Sequence, residues 1–366
     1  MSSVRLKETI ANGFERVIEV TDEGAGLHAF IAIHNTVLGP ALGGTRIFPY
    51  ANREAALADV LRLAEGMTYK SAVAHAGFGG GKSVIIADSK KDKTPKLLEA
   101  FARAVDRLKG IYICAEDIGC TPDDMVTISR ITPYVCGLPE GSVHGSGCPS
   151  RYTAWGVFRG IQAVCHSIWG TNSAHGRRVA IQGLGNVGLR LAELLFWQGA
   201  NLIVSDVDPA KVKRAQTQLG AKAVSPSEPI GSQCDVLALC AMGGELNDQT
   251  IPRLKCAAIA GGANNQLLKS EHGDALAKRD ILYAPDFVVN AGGLLNVAGE
   301  FDPQGYQPAV IRDKVNNIYD VLLHIFVMAK EQKISTEAAA LQLARQNLAG
   351  GIGKRREPVN FARKAL

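Results

Sequence analysis

The sequence predicts an α/β protein of two domains, and three observations carry that expectation. At 366 residues the chain is too long for one ordinary core and fits two domains of roughly 100 to 200 residues each. From Arg178 onward, strand-like and helix-like segments alternate, the grammar of a doubly wound parallel sheet. Between the halves, Gly137 to Pro149 (GLPEGSVHGSGCP) is rich in Gly, Pro and Ser and reads as a linker. The expected division is residues 1–140, residues 150–330, and a helical segment with a basic tail over 331–366 that returns toward the first domain.

Composition excludes several classes. Apolar residues make up 46% and charged residues 20%, so a disordered, collagen-like or coiled-coil chain is ruled out. No stretch reaches the roughly 18 uninterrupted apolar residues of a membrane span. The run MSSVRLKETI lacks the apolar core of a signal peptide, so a soluble cytoplasmic protein with no membrane partner is expected. Forty Lys plus Arg against 35 Asp plus Glu leave a charge of +5, too thinly spread for nucleic acid. The one basic stretch, Lys354 to Lys364, reads as a solvated terminus. The eight cysteines form no CxxC pair and the histidines no HExxH, so no metal site is expected and the thiols read as reduced and mostly buried.

From Arg53 to Met67, the residues Leu57, Val60, Leu61, Ala64 and Met67 recur at helical spacing, with Lys70 just beyond them. Pro95 opens a second amphipathic helix with the stripe Leu97, Leu98, Phe101, Val105 and Leu108. The β-rich runs Ser83 to Ile86 and Ile111 to Cys114 follow these helices, which leaves Lys82 at one strand's start and Asp117 at the other's end. Thr121-Pro122-Asp123-Asp124 reads as a helix start, with a hydroxyl cap, Pro first and acid in the first turn. The second half reads as helix Thr153 to Ile168, strand Arg178 to Gln182, helix Val187 to Gln198 and strand Leu202 to Ser205, with further apolar runs at Val236 to Leu239 and Ala257 to Ala260. Asp313 to Lys330 is helical, and a second helix follows from about Thr336; this pair is expected to pack back across both domains.

The first chemical signal is Gly183-Leu184-Gly185-Asn186-Val187-Gly188, a GxGxxG between a strand and an amphipathic helix. The first glycine permits the tight turn, the second lets backbone amides approach a pyrophosphate, and the third lets the helix pack on the strand. Eighteen residues after the last glycine, at the next strand's end, stands Asp206. A carboxylate there accepts both ribose hydroxyls of an adenosine and repels a 2′-phosphate, so the cofactor expected of this Rossmann signature is NAD.

The second signal is Gly79-Gly80-Gly81-Lys82-Ser83. A phosphate-binding P-loop would need Gly where Ala76 stands and a helix where Val84-Ile85-Ile86 forms a strand, so that reading fails. The glycines instead suggest bare backbone packed around a ligand, with Lys82 projected into it. If the strands of Lys82 and Asp117 are neighbours, Lys70, Lys82 and Asp117 converge at the domain cleft. One lysine can hold the carboxylate of an amino acid, Asp117 its ammonium, and the second lysine, crowded by the first, can act as a general base. Asp117 would also shuttle the proton that lets ammonia depart.

At these residues the chain resembles the amino acid dehydrogenases, the leucine, phenylalanine and valine enzymes within the glutamate dehydrogenase superfamily. The markers are GPALGGTR (39–46), GMTYK (66–70), GGGKSVI (79–85), AEDIG (115–119), GLGNVG (183–188), AGGANNQL (260–267) and APDFVVNAGGLLNV (284–297). The resemblance implies that Lys82 is the catalytic lysine, Lys70 the carboxylate binder and Asp117 the amino-group partner. It places Gly43 and Gly44 near the substrate carboxylate, Ser150 and Thr153 near the nicotinamide, Ala241 and Asn264 along the cofactor, and Asn290 close to both ligands. It further implies an N-terminal substrate-binding and oligomerisation domain, a C-terminal Rossmann domain, a cleft that closes on binding, and a homo-oligomer, usually an octamer.

The residues expected to line the side-chain pocket are Leu42, Ala115, Cys136, Leu294 and Val297, all apolar or nearly so. They imply an apolar, branched-chain L-amino acid, leucine with valine and isoleucine, oxidised to its 2-oxo acid. The alternative is an aromatic substrate, phenylalanine or tryptophan. Leucine dehydrogenases are similar in Leu42 and Ala115, but Leu294 stands where they usually carry valine. Cys148 and Arg151 replace the familiar Asn and Pro before the linker helix.

Overall fold

The computed structural model describes residues 4–142, 145–359 and 361. Val143 and His144 of the linker, and Asn360 and residues 362–366 of the basic stretch, lie outside them. The chain divides into two compact units: Met1–Pro149 with Asn296–Pro308 and Ala344–Leu366, and Ser150–Leu295 with Ala309–Leu343. The expected division differs at two places, since Asn296–Pro308 joins the first unit and residues 331–343 stay with the second.

Four strands open the first unit before any α-helix: β1 (Arg5–Thr9), β2 (Arg16–Asp22), β3 (Leu27–Asn35) and β4 (Ala41–Phe48). Then come α1 (Arg53–Val73), β5 (Gly79–Ile86), α2 (Pro95–Arg107), β6 (Tyr112–Glu116) and α3 (Pro122–Ser129). The six strands form one mixed sheet in the order β1-β2-β3-β5-β4-β6. β4 is parallel to both β5 and β6, and the other pairings are antiparallel. β3 is buried on both faces. Ile31 and Ile33 join the core with Phe101 and Val105 of α2, while Phe30 and Ala32 join Ala56, Val60 and Ala64 of α1. The sheet is thus sandwiched between α1 and α2.

Asn52 caps α1 through Ala55 N, and the helix runs on to Val73 with Lys70 in its last turn. Thr121 and Asp124 form a reciprocal capping box on α3, with Pro122 first, as their sequence predicts. β5 begins at Gly79, so the glycine run is strand and not an approach to one. A Cβ on Gly80 would overlap Thr68 of α1, and one on Gly79 would overlap the Asn35 carbonyl. The bare backbone therefore lets α1 and β3 press against β5, which corrects the expectation that these glycines surround a ligand.

The second unit starts with α4 (Ser150–Trp169), then β7 (Arg178–Gln182), α5 (Asn186–Trp197), β8 (Asn201–Ser205), α6 (Pro209–Leu219) and β9 (Lys222–Ala223). It continues with β10 (Val236–Leu239), β11 (Ala258–Ile259), α7 (His272–Ala277), β12 (Leu282–Tyr283) and α8 (Asp286–Val289). All six strands are parallel, in the order β12-β11-β10-β7-β8-β9. The order reverses between β7 and β10, which opens a crevice at the carboxyl ends of those strands. The closing helices are α9 (Gly292–Ala298), α10 (Pro308–Asn316), α11 (Ile318–Gln332) and α12 (Thr336–Gly350). The expected helix from Asp313 to Lys330 is broken at Asn317. At the end of α10, Trp155 Nε1 donates to Asn316 Oδ1 at 2.7 Å and Arg159 Nε donates to the Asn316 carbonyl at 3.4 Å. Among the described residues no helix is long and apolar enough to cross a membrane.

Candidate active site

In the first unit several of the predicted site residues share one face of three strands. Alternation along β4 puts Leu42, Gly44 and Arg46 on that face, β5 adds Lys82, and β6 adds Ala115, with Asp117 just past its end. The ladders pair Leu42 with Gly80, Thr45 with Ser83, and Gly44 with Ala115. The strands of Lys82 and Asp117 are therefore not neighbours, as expected from element order; β4 lies between them. The two side chains meet because Gly44 is bare. A Cβ there would stand 2.8 Å from Asp117 Cβ and 3.1 Å from Lys82 Nζ. Across this gap Lys82 Nζ reaches Asp117 Oδ2 at 2.8 Å, with the side chains only 7% and 17% exposed.

Arg46 is a third member, and sequence reasoning gave it no role. Its Nε donates to the same Asp117 oxygen at 3.1 Å and its Nη1 to Asp59 Oδ2 at 2.9 Å, where the Tyr50 hydroxyl also donates at 2.7 Å. Burial alone would raise the Asp117 carboxyl, but the Lys82 ammonium and Arg46 guanidinium outweigh it and hold the pKa at about 2. The available signal was positional: Arg46 follows Gly44 by two residues on a strand, and so shares its face.

Lys70 is half-buried on α1, two residues after the Thr68 that abuts Gly80. The contact given to Lys82 is the Asp117 carboxylate. Gly43 belongs to the packing of the sheet, because a Cβ on it would overlap the Gly81 carbonyl. Leu42, Ala115, Cys136 and Val297 are buried in the first unit, and Leu294 is buried in the second.

The second unit carries the residues predicted to bind a dinucleotide. Gly183 turns the chain at φ 94°, and its Cβ would stand 2.8 Å from that of Ala241, so the turn after β7 meets the loop after β10 at the crevice. A Cβ on Gly188 would overlap the Gly183 carbonyl, which explains why α5 can sit so close to the turn. Gly185 is different. A Cβ on it would meet no protein atom within 4 Å. Nothing in the chain demands glycine there, whereas a pyrophosphate at the start of α5 does, so the residues fit a dinucleotide. Leu184, Gly185 and Asn186 line a cavity of about 370 Å³ beside this turn, while Val187 is half-buried.

Asp206 follows β8 with its side chain 8% exposed. Its Oδ2 accepts from Leu184 N at 2.6 Å and its Oδ1 from Asp208 N at 2.8 Å, which ties the strand end to the glycine turn. Asn290 Nδ2 donates to Asn264 Oδ1 at 2.7 Å, so these two predicted residues stand together. Asn290 Oδ1 is buried without a hydrogen-bond partner, an acceptor suited to an amide such as a nicotinamide carboxamide. Ser150 and Thr153 lie in the first turn of α4, which starts three residues earlier than expected. All eight cysteines are free, five of them buried. Among the described residues no cluster of three or more His, Cys, Asp or Glu could hold a metal ion.

One unit carries a buried lysine–aspartate pair and the other a GxGxxG turn after a parallel strand, and the relatives of the chain are oxidoreductases acting on CH–NH2 groups, amino acid dehydrogenases. Residues 14–134 match the family model described as Glu/Leu/Phe/Val dehydrogenase, dimerisation domain, and residues 208–350 match Glutamate/Leucine/Phenylalanine/Valine dehydrogenase. The chain belongs to this family. It is 48% identical over 337 residues to the leucine dehydrogenase of Geobacillus stearothermophilus, covering 92% of this chain and 90% of that one. It is also 48% identical over 345 residues to an L-tryptophan dehydrogenase of Nostoc punctiforme, covering 94% and 96%. The crystal structure of L-tryptophan dehydrogenase from Nostoc punctiforme superposes with a TM-score of 0.80 at 45% identity, over 93% of this chain and 97% of that one.

Proposed function

We propose that the protein catalyses the reversible, NAD-dependent oxidative deamination of an apolar branched-chain L-amino acid, leucine with valine and isoleucine, to its 2-oxo acid and ammonia. The observation that carries this reading is the buried Lys82–Asp117 pair across Gly44, in a chain 48% identical to a leucine dehydrogenase. Lys70 holds the substrate carboxylate as a point charge. Asp117, held ionised, receives the substrate ammonium, which releases one proton to solvent before the hydride leaves. When bound, NAD supplies the acceptor for the hydride that leaves Cα. Lys82, as the free amine, takes the proton of the water that adds to the resulting Cα=N carbon, Asp117 relays that proton to the departing nitrogen, and Lys82 takes the hydroxyl proton as ammonia leaves.

Asp206 supports NAD over NADP, because its carboxylate sits where an adenosine ribose is read and repels a 2′-phosphate. The dimerisation domain named in the family model supports a homo-oligomer, and eight free thiols support a reducing, cytoplasmic setting. Leu42, Ala115, Cys136 and Val297 supply apolar walls in the first unit, and one methylene against such walls shifts preference by only roughly 1 to 3 kcal/mol, so leucine, valine and isoleucine should all react. An aromatic substrate is the second reading, favoured by the equal identity to the L-tryptophan dehydrogenase.

The test is a panel of L-amino acids assayed with NAD and with NADP by the absorbance of the reduced cofactor. Turnover of leucine, valine and isoleucine with NAD is expected. Faster turnover of tryptophan or phenylalanine would replace the substrate assignment, and no turnover of any amino acid would sink the reading.

A further inference from the structure

A buried hydrogen-bond chain in the first unit ties together two segments far apart in sequence. Glu300, 4% exposed, accepts through Oε1 from Gly137 N at 3.0 Å, from Ser146 N at 3.1 Å and from Ser146 Oγ at 2.6 Å. Ser146 Oγ accepts from Asn296 Nδ2 at 3.0 Å, and Asn296 Oδ1 accepts from the Tyr306 hydroxyl at 2.6 Å. Each proton has one place. Asn296 Oδ1 can only accept, so Tyr306 donates to it. The Asn296 amide then donates to Ser146, whose single O–H is left for Glu300. Ser146 and Asn296 are both buried. A buried network in which each link is satisfied specifies one arrangement of its segments, because breaking any link strands a desolvated polar group.

The chain brackets two of the residues assigned to the substrate pocket. Cys136 immediately precedes Gly137, and Val297 immediately follows Asn296. A Cβ on Gly137 would stand 3.9 Å from Val297 Cγ1, so the two segments are in van der Waals range where they carry these walls. Apolar walls discriminate between side chains only if they cannot yield to a larger one. We propose that Glu300, Ser146, Asn296 and Tyr306 are positioning residues that set the size of amino acid side chain accepted, by fixing the separation of Cys136 and Val297. The proposal rests on the dehydrogenase reading above and adds to it the device that governs specificity.

The experiment compares kcat/KM for L-leucine and L-phenylalanine in the full-length wild type, Ser146→Ala, Ser146→Thr and Tyr306→Phe. Ser146→Ala removes the hydroxyl that joins both halves of the chain. It should lower the leucine-to-phenylalanine ratio about tenfold, the size of one buried hydrogen bond, with the change in KM for leucine and little change in kcat. Ser146→Thr keeps the hydroxyl and should restore the ratio. Tyr306→Phe, at a half-buried position, removes the hydroxyl that makes the last link; it should shift the ratio in the same direction and stands in where Ser146→Ala yields no folded enzyme. Equal losses on both substrates, or an unchanged ratio in active Tyr306→Phe, would overturn the proposal while leaving the dehydrogenase reading intact. Absence of wild-type turnover on either substrate would sink that reading and the proposal with it.

Discussion

Asp117 takes its ionisation from its neighbours. Two cations share one of its oxygens, and one of them, Arg46, is itself fixed by Asp59 and Tyr50. Removing one partner of such a pair leaves an uncompensated buried charge, so substitutions at Asp117 report folding as well as catalysis. Lys82 gives the cleaner test, because Arg46 still pairs with Asp117 when the lysine is gone. Lys82→Ala should reduce turnover by at least about 10³-fold, within the range for loss of a general base, while NADH still binds with near wild-type affinity by fluorescence titration. The dinucleotide residues belong to the other unit, and full activity in this variant would remove the proposed base. Lys82 and Asp117 were legible because glycines and strand ends mark them locally. Arg46 was not, because its partner Asp117 lies 71 residues further on and only the strand order brings them together.

At the scale of elements, the packing of α1 on β5 hangs on Gly80. Gly80→Ala would drive a methyl into Thr68 and should destabilise the protein by roughly 1–3 kcal/mol, read as a lower denaturant midpoint; unchanged stability would show that α1 can shift without cost. In the first turn of α12, burial and the nearby Asp286 carboxylate push the Glu337 carboxyl up to about 8. The sign follows directly. Below the ordinary value of 4.5 both folded and unfolded states hold the proton, and Glu337 costs nothing. Between 4.5 and about 8 the unfolded chain releases the proton that the folded state keeps, so stability falls with rising pH and levels off above that range. Glu337→Gln should therefore raise Tm at pH 8 relative to wild type and flatten its decline from pH 5. An identical pH dependence in thermal melts of the two proteins would refute this. β1 to β4 were not read from sequence because β3 is buried on both faces and shows no alternation, leaving a continuous apolar run that a buried helix could equally produce.

For the whole molecule, a ligand that binds only the folded state adds stability by mass action. NAD at 100 times its Kd should contribute about 2.7 kcal/mol, visible as a rise in Tm. Asp206→Ala should weaken NAD by about tenfold, one ribose hydrogen bond to a charged acceptor, and so lose about half of that rise at the same NAD concentration, with the KM for amino acid little altered. Unchanged NAD affinity would reject the ribose role. The sequence by itself determined the doubly wound second sheet, the glycine turn, Asp206 at its strand end, and the residue types of the lysine–aspartate centre. Each of these is specified within a few residues by backbone geometry, capping or strand periodicity. Only the tertiary structure decided that β4 lies between β5 and β6, that Gly44 is the gap through which Lys82 meets Asp117, and that residues 296–308 join the first unit. Strand order and segment return are chosen by which faces bury most apolar surface together, a property of distant residues that no local window contains.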